Sequence, residues 1–220
     1  MAFDRLPVVT ARRLPLYYRY LQTLVALGKQ RVSSAEVSAA LHIDSATIRR
    51  DFSYLGELGR KGYGYNVDYL LRFLQDFLKQ DEIVKVILVG VGNLGTALCR
   101  YDFYRSKQMN IVAAFDVDPL KLGQEIEGIP VHAVKDLESF VKREGVEIAI
   151  LAVPASSAQV TADLVVRAGV LGILNFTPRT LSVPPDVRVH HIDVTTELQI
   201  LVYYLKRGQR QDDPRKDDES

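Results

Sequence analysis

The 220-residue sequence predicts an α/β protein in which a small helical domain precedes a mostly parallel, doubly wound sheet. Helix-like segments and one basic, glycine-rich stretch fill the first 66 residues. From residue 83 onward, short apolar runs alternate with helix-like segments, as in a parallel sheet covered on both faces. The predicted domains are therefore 1–80 and 81–192, with a closing helix over 193–207 and a disordered tail over 208–220.

The composition predicts a globular protein of the cytoplasm. Hydrophobic residues make up 47% and charged residues 25% of the chain, an ordinary balance for a folded domain. No run approaches the roughly 18 apolar residues of a membrane span. Residues 1–10 lack the apolar core of a secretory signal. A single cysteine excludes an internal disulfide framework. The absence of a long apolar run disfavours a membrane-spanning protein, and the cysteine count disfavours a disulfide-rich one.

The first domain begins with signals for three helices. Pro15 suits the first turn of a helix whose apolar residues continue at helical spacing to Leu27. Residues 33–36 have the sequence Ser-Ser-Ala-Glu, a capping box that begins a second helix ending at Leu41. After a short turn, a third helix over residues 46–55 can be capped by Asp44 or Ser45. Two helices joined so closely are typical of a helix-turn-helix.

The outer face of the third helix predicts contacts with DNA. Ile48, Phe52 and Leu55 recur at helical spacing and would face the core, which leaves polar and basic residues outside. Residues 1–78 hold eleven lysines and arginines against seven acidic residues, whereas the rest of the chain holds 17 against 20. Residues 59–65 are basic and glycine-rich, as expected of the wing in a winged helix-turn-helix; a solvated helical bundle with incidental arginines is the alternative. The predicted DNA-binding residues are Ser45, Ala46, Thr47, Arg49, Arg50, Ser53 and Tyr54 in the helix, and Arg60, Lys61, Gly62 and Tyr63 in the wing.

Two further helices have distinctive apolar patterns. Residues 67–80, capped by Asn66 or Asp68, present one apolar stripe that would connect and pack the two domains. The last helix, Val194 to Lys206, follows Asp193 as its cap and carries apolar residues around most of its circumference. A helix of that kind is normally buried on several sides, which predicts insertion between two subunits of a homodimer.

A glycine pattern predicts a dinucleotide-binding site. The β-branched run from Ile83 to Val89 leads into Gly90-Val91-Gly92-Asn93-Leu94-Gly95 and then into a helix. In a G-x-G-x-x-G turn the three glycines allow the tight turn, the approach of a pyrophosphate and close helix packing. Asp116 ends the second strand, 21 residues past Gly95, where an acidic residue is expected to bind the adenosine ribose. Its charge favours NAD over NADP.

The strands expected in the second domain are 83–89, 111–117, 129–131, 146–153, 170–176 and 187–192, with helices near 93–105, 135–144 and 155–168. This pattern is typical of a Rossmann-like sheet, which binds its ligand across the carboxyl ends of the strands. The predicted cofactor-binding residues are Gly90, Val91, Gly92, Asn93, Leu94, Gly95, Asp116, Val117, Val153, Pro154, Asn175 and Thr177.

Catalytic equipment is hard to find in the sequence. His132, His190 and His191 lie at strand ends without the spacing of metal ligands, and we expect them to be structural or on the surface. Cys99 lies where the first helix of the sheet domain would pack, so a small buried hydrophobe is expected rather than a redox thiol. No catalytic residue and no metal site are predicted, and the protein is expected not to be an enzyme.

From about Pro15 to Lys206 the chain resembles the redox-sensing transcriptional repressors of the Rex family. The matching motifs are Ile48 to Gly56, Gly62 to Tyr65, Gly90 to Gly95, Phe115 to Asp118, Ile173 to Phe176 and Ile192-Asp193. The resemblance implies a homodimer that binds an inverted-repeat operator in double-stranded DNA and is released when NADH replaces NAD+. It also implies a domain-swapped closing helix, and a switch in which Asp193 pairs with Arg19 in one state and with Tyr101, also near the cofactor, in the other.

Two other functions remain open from the sequence. One is a small NAD-dependent oxidoreductase whose N-terminal bundle only oligomerises. The other is a Rossmann-like subunit that binds CoA, which would not require Asp116. Neither alternative explains Arg49, Arg50 and Lys61, so the leading prediction is a repressor that responds to the NADH/NAD+ ratio.

Overall fold

The structure is a computed structural model that describes residues 6–56, 58–60, 62–78, 83–101 and 109–211. The chain divides into two compact units, Met1–Glu82 and Ile83–Ser220, so the boundary falls two residues after the predicted one. Across the described ranges, no helix is long and apolar enough to span a bilayer.

The first unit is a winged helix-turn-helix, as predicted. A small antiparallel sheet forms the wing, and its strands in spatial order are residues 31–32, 64–66 and 59–60. Arg60 lies opposite Gly64 at its tip. Four helices enclose one apolar core, to which Tyr17, Phe52 and Leu70 contribute buried side chains. Its elements are α1 (Val8–Ala26), β1 (Arg31–Val32), α2 (Ser34–Leu41), α3 (Ser45–Ser53), β2 (Gly59–Arg60), β3 (Gly64–Asn66) and α4 (Val67–Phe77).

Local capping explains where α2, α3 and α4 begin. The predicted capping box is present, because Ser33 Oγ accepts from the Glu36 amide and Glu36 Oε2 accepts from the Ser33 amide. Asp44 caps α3 by accepting from the amides of Ala46 and Thr47 at 2.8 and 3.1 Å. Asn66 caps α4. For both helices, the first of the two predicted caps is the one that forms.

The predicted start of α1 at Pro15 is wrong. The helix begins at Val8 and includes Pro15 in its interior. An internal proline removes a hydrogen bond and costs about 3 kcal/mol. The extra turns persist because Thr10 and Leu14 are each only 1% exposed, so tertiary contacts outweigh the local cost.

The second unit is a seven-stranded sheet with helices on both faces. In spatial order its strands are residues 188–191, 172–175, 148–151, 84–89, 109–116, 129–133 and 125–126. Of these, only the short edge strand 125–126 is antiparallel. Taken along the chain, the six parallel strands have the order 3-2-1-4-5-6 of dinucleotide-binding folds. Its elements are β4 (Val84–Val89), α5 (Asn93–Arg100), β5 (Met109–Asp116), β6 (Glu125–Ile126), β7 (Ile129–Ala133), α6 (Leu137–Glu144), β8 (Ile148–Leu151), α7 (Ala158–Ala168), β9 (Gly172–Asn175), β10 (Arg188–His191) and α8 (Val194–Gln211).

Several boundaries differ from the predicted ones. The helix expected over 93–105 ends at Arg100, and residues 102–108 lie outside the described ranges. The closing helix α8 continues to Gln211, so residues 208–211 of the expected disordered tail are helical, while 212–220 are not described. The two-residue strands β1 and β6 were not predicted, because so short a segment has no periodicity to detect.

Candidate functional site

In the glycine turn after β4, Gly90 and Gly95 are required by packing within the protein, whereas Gly92 is not. A Cβ at Gly95 would lie 1.9 Å from the carbonyl oxygen of Gly90, so α5 reaches the strand only because residue 95 is glycine. Gly90 has a φ of +97°, and a Cβ there would lie 2.6 Å from the carbonyl oxygen of Ala152. Gly92 is different, since its φ is −83° and its Cβ would meet no protein atom within 4 Å. The protein itself does not require a glycine at position 92, which fits the approach of a pyrophosphate.

The same turn exposes the amino end of α5. Gly92 is the N-cap residue and has no side chain with which to cap the first amides of the helix. These N–H groups and the helix dipole favour an anion at this end. A dinucleotide pyrophosphate carries the charge that this position would stabilise.

Asp116, the last residue of β5, is only 7% exposed. Its Oδ2 accepts a hydrogen bond from the Val91 amide at 2.7 Å, and its Oδ1 accepts one from the Asp118 amide at 2.9 Å. Lys121 Nζ lies 3.3 Å from Oδ2. Burial acts to raise the pKa of this carboxyl, but the backbone donors and Lys121 outweigh burial and lower it. A buried, charged acceptor thus adjoins the glycine turn, as ribose binding requires.

The loops after β8 and β9 reach the same edge of the sheet. Val153 is half-buried against the glycine turn, with its Cγ1 2.9 Å from the Cβ position of Gly90, while Pro154 is exposed. Asn175 is fully buried, and its amide nitrogen donates to the carbonyl of Arg179 and pairs with His191 Nδ1. Its Oδ1 accepts from the Thr177 amide at 3.0 Å. The Asn175 side chain is therefore engaged within the protein through both its nitrogen and its oxygen.

The other predicted cofactor residues vary in exposure. Asn93, Leu94 and Val117 are exposed, whereas Val91 is buried. Tyr101 is 65% exposed and follows the last residue of α5, about 12 Å along the helix from the glycine turn. A contact between Tyr101 and the cofactor stays a prediction.

No group in the second unit is arranged for catalysis among the residues described. Burial raises the pKa of the Cys99 thiol, which is 3% exposed, so a small buried hydrophobe is the correct interpretation. His132 packs against Phe115 and Phe140 with ring centroids 5.8 and 5.4 Å away. The described ranges contain no set of three His, Cys, Asp or Glu side chains that would hold a metal ion.

The candidate DNA-binding face lies on α3 and the wing. Arg49 and Arg50 are exposed, as are Ala46, Ser53 and Tyr54, while Ser45 and Thr47 are half-buried. Arg49 Nη1 donates to Ser34 Oγ at 3.1 Å and to Ser45 Oγ at 3.3 Å, so its guanidinium is oriented before any ligand binds. In the wing, Gly62 is exposed and Tyr63 is 70% exposed. Lys61 and the side chain of Arg60 lie outside the described residues.

A groove of about 490 Å³ separates α3 from the wing and includes residues that the sequence did not single out for DNA. Ser33 and Ser34 line it beside Arg49 and Tyr65. Arg31 Nη1 donates to the Tyr63 carbonyl at 3.2 Å, and its guanidinium lies 5.8 Å from the Tyr63 ring. The sequence offered no signal for Arg31, because the two-residue strand β1 that carries it has no periodicity to detect.

Asp51 is a second residue that the sequence analysis missed. It is fully buried in α3, where Thr10 and Tyr17 donate to it at 2.9 and 2.6 Å, and Arg13 binds both carboxylate oxygens at 2.6 Å. Burial acts to raise the pKa of Asp51, but these three donors lower it overall. Burial and Asp51 raise the pKa of Tyr17. This cluster joins α1 to the helix that carries Arg49 and Arg50.

The closing helix begins at the predicted cap. Asp193 Oδ1 accepts from the amides of Thr195 and Thr196, and Oδ2 accepts from the Thr196 hydroxyl at 2.7 Å. The hydroxyl of Thr196 contributes most to lowering the pKa of Asp193. Arg19, its predicted partner, is exposed on α1 of the other unit. The large apolar side chains of α8 are exposed around the helix, namely Val194, Leu198, Ile200, Leu201, Val202, Tyr203, Tyr204 and Leu205.

Two family models match parts of the chain. The model described as "Putative DNA-binding protein N-terminus" matches residues 5–53, which contain α1 to α3. The model described as "CoA binding domain" matches residues 81–179, which include the glycine turn and Asp116. The first match lies within the first compact unit, and the second lies in the second unit apart from its first two residues.

Longer comparisons cover nearly the whole chain. The chain is 58% identical over 202 residues to the redox-sensing transcriptional repressor Rex of Listeria welshimeri, with 92% of this chain and 94% of that protein covered. It is also 58% identical over 203 residues to the protein of the same name in Bacillus subtilis, again with 92% and 94% covered.

Solved structures agree with the sequence matches. RSP, a Rex-family repressor, in complex with β-NAD+ and operator DNA matches with a TM-score of 0.86 and 36% identity, covering 92% of this chain and 94% of RSP. RSP in complex with β-NADH matches with a TM-score of 0.82 and 34% identity, covering 93% and 96%. The chain has the same architecture as these solved relatives, a winged helix joined to a dinucleotide-binding sheet. It therefore belongs to the Rex family of redox-sensing transcriptional repressors.

Proposed function

We propose that this protein is a repressor that binds an inverted-repeat operator as a homodimer and leaves it when NADH replaces NAD+. The proposal rests on two features found in one chain. One is the oriented Arg49 on α3, and the other is the glycine turn beside the buried Asp116. RSP, which shares the fold along its length, has been solved both with β-NAD+ and operator DNA and with β-NADH. A protein that acts on DNA would work in the bacterial cytoplasm.

The residues at the sheet edge fit a dinucleotide. Gly92 leaves room for the pyrophosphate, the amino end of α5 would stabilise its charge, and Asp116 would accept from the ribose hydroxyls. The cofactor supplies two redox forms that differ by one positive charge on the nicotinamide. Since the phosphates are common to both forms, the protein would discriminate near Asn175, Tyr101 and the beginning of α8.

The homodimer is supported by α8. A helix that exposes apolar side chains around most of its circumference is unfavourable in water, because each side chain of this size gains about 1.5–3 kcal/mol on burial. Exchange of α8 between two chains would bury them. Two recognition helices would then be held at a fixed separation, as successive major grooves about 34 Å apart require.

The switch would run through Asp193. In this structure Asp193 is occupied as the cap of α8. We propose that it pairs with Arg19 in one of the two states and with Tyr101 in the other. A ligand shifts such an equilibrium only by its difference in affinity for the two states. A dry pocket around the nicotinamide would favour the uncharged ring of NADH, which supplies that difference.

The proposal is tested by a gel shift with an inverted-repeat duplex selected by the cofactor-free protein from a random pool. Saturating NADH is expected to weaken binding roughly 5- to 150-fold relative to saturating NAD+, the range of ordinary allosteric coupling. Equal affinities would disprove the proposed response. In the same assay Asp193→Ala should lose the response while keeping its affinity for NADH, whereas Asp186→Ala, a change at an exposed aspartate before β10, should respond normally.

The two other functions considered from the sequence are not retained. The relatives that cover nearly the whole chain are repressors and not oxidoreductases. The model described as "CoA binding domain" matches the sheet, but the buried Asp116 beside the glycine turn is better suited to a free ribose diol than to the 3′-phosphorylated ribose of CoA.

A further inference from the structure

Lys121 lies where the adenosine ribose of the proposed cofactor would bind, although no sequence motif predicts a role for it. Its Nζ is 3.3 Å from Asp116 Oδ2 and 3.6 Å from Asp118 Oδ2. The acceptor position that remains open on Asp116 is on Oδ1, and a hydroxyl that donates to it would lie within about 8 Å of this ammonium. The inference below rests on the proposed binding of NAD(H).

The position of Lys121 is set by a tight turn rather than by chance. Its amide donates to the Asp118 carbonyl at 3.0 Å, and the Leu120 amide donates to Asp118 Oδ1 at 3.0 Å. The Lys121 side chain is 36% exposed, so it stands at the rim of the sheet edge. The turn therefore holds an ammonium group beside a carboxylate that would otherwise face the ribose alone.

The hydrogen bonds at Asp116 leave little capacity for a ribose diol. A carboxylate has about four acceptor positions, and the amides of Val91 and Asp118 together with Lys121 use three of them. One ribose hydroxyl can donate to the position that remains. The second hydroxyl then has no acceptor position left on Asp116. In NADP(H) a phosphate takes the place of one of these hydroxyls, and an ammonium attracts it.

We infer that Lys121 is a specificity-determining residue that weakens the exclusion of NADP(H) by Asp116. Asp116 alone would repel a 2′-phosphate, whereas Lys121 offsets that charge from within interaction range. Asp118 opposes Lys121, because its own carboxylate competes for the same ammonium. The balance of these three charges sets how strongly the protein prefers NAD(H) to NADP(H).

The test is the ratio of the dissociation constant for NADPH to that for NADH, measured by cofactor fluorescence at low ionic strength. Lys121→Met should raise this ratio at least about fivefold, the effect of one unit charge on a doubly charged phosphate within about 8 Å even in high dielectric. Asp118→Asn should lower it, because asparagine can still accept from the Leu120 amide while Lys121 loses a competitor. Lys142→Met, which removes a lysine paired with Glu138 on α6, should leave the ratio unchanged.

Each result decides the inference. If Lys121→Met weakens both cofactors equally, or if Asp118→Asn raises the ratio, Lys121 does not determine specificity, although the proposed function stands. If the unmodified protein fails to bind NADH, the proposed function falls and this inference falls with it. Because residue 121 lies on an exposed turn, unchanged thermal unfolding of the variant should confirm an intact fold.

Discussion

Gly92 and Gly95 belong to one motif but answer to different constraints. Gly95→Ala forces a Cβ to 1.9 Å from a backbone oxygen, so we expect a loss of about 1–3 kcal/mol in the free energy of unfolding. Gly92→Ala meets no protein atom, and we expect stability to change by less than about 1 kcal/mol. NADH binding should nevertheless weaken at least about tenfold, since the methyl group would occupy the path of the pyrophosphate. Chemical denaturation and fluorescence titration check both variants, and a Gly92→Ala protein with normal affinity would contradict this account.

Asp51 is expected to stabilise the DNA-binding unit in a pH-dependent way. Asp51→Asn removes a buried charge paired with Arg13 and should cost about 3 kcal/mol. Because the pKa of Asp51 is lowered in the folded protein, its contribution is present above the ordinary carboxyl pKa of about 3.9 and is lost as the pH falls through the folded-state value. The unmodified protein should therefore lose stability below about pH 4 more steeply than the variant. Denaturation curves between pH 3 and 7 measure the difference, with Asp186→Asn as the surface control; parallel pH profiles would argue against the cluster.

At the scale of elements, α8 is the proposed determinant of dimer assembly. Leu201→Glu places a charge on a surface that is 54% exposed in the single chain and buried in the proposed dimer. We expect the variant to sediment as a monomer while both compact units remain folded, because burying an unpaired charge costs several kcal/mol. Gln199→Glu adds the same charge at a polar position of the same helix and serves as the matched control. A Leu201→Glu protein that remained dimeric would exclude α8 as the interface.

The helices also indicate how much of the fold was predictable. The starts of α2, α3 and α4 depend on neighbouring residues, and the capping box and the caps at Asp44 and Asn66 predicted them within a residue. The start of α1 depends on contacts across the unit, so Pro15 misled the prediction. Asp51 could have been recognised, since it lies three residues after Ile48 on the buried face. Its partner Arg13 is 38 residues away and could not.

At the scale of the whole molecule, the sequence predicted the two units and the residues that follow parallel strands. The glycine turn and Asp116 were predicted because both lie at the ends of neighbouring parallel strands. Such ends lie together regardless of loop conformation. Lys121 was missed because its approach to Asp116 depends on the geometry of one turn. The engagement of the Asn175 side chain was likewise invisible, since His191 comes from the neighbouring strand.

The exposed apolar side chains of α8 affect how subunits would associate and dissociate. If two chains exchange this helix, separating them requires each to expose the same side chains to water again. Partners would then be chosen while the chains fold and would be retained for long periods. Heterodimers of an unmodified and a variant chain would have to be made by co-expression, because mixing purified homodimers would produce few of them.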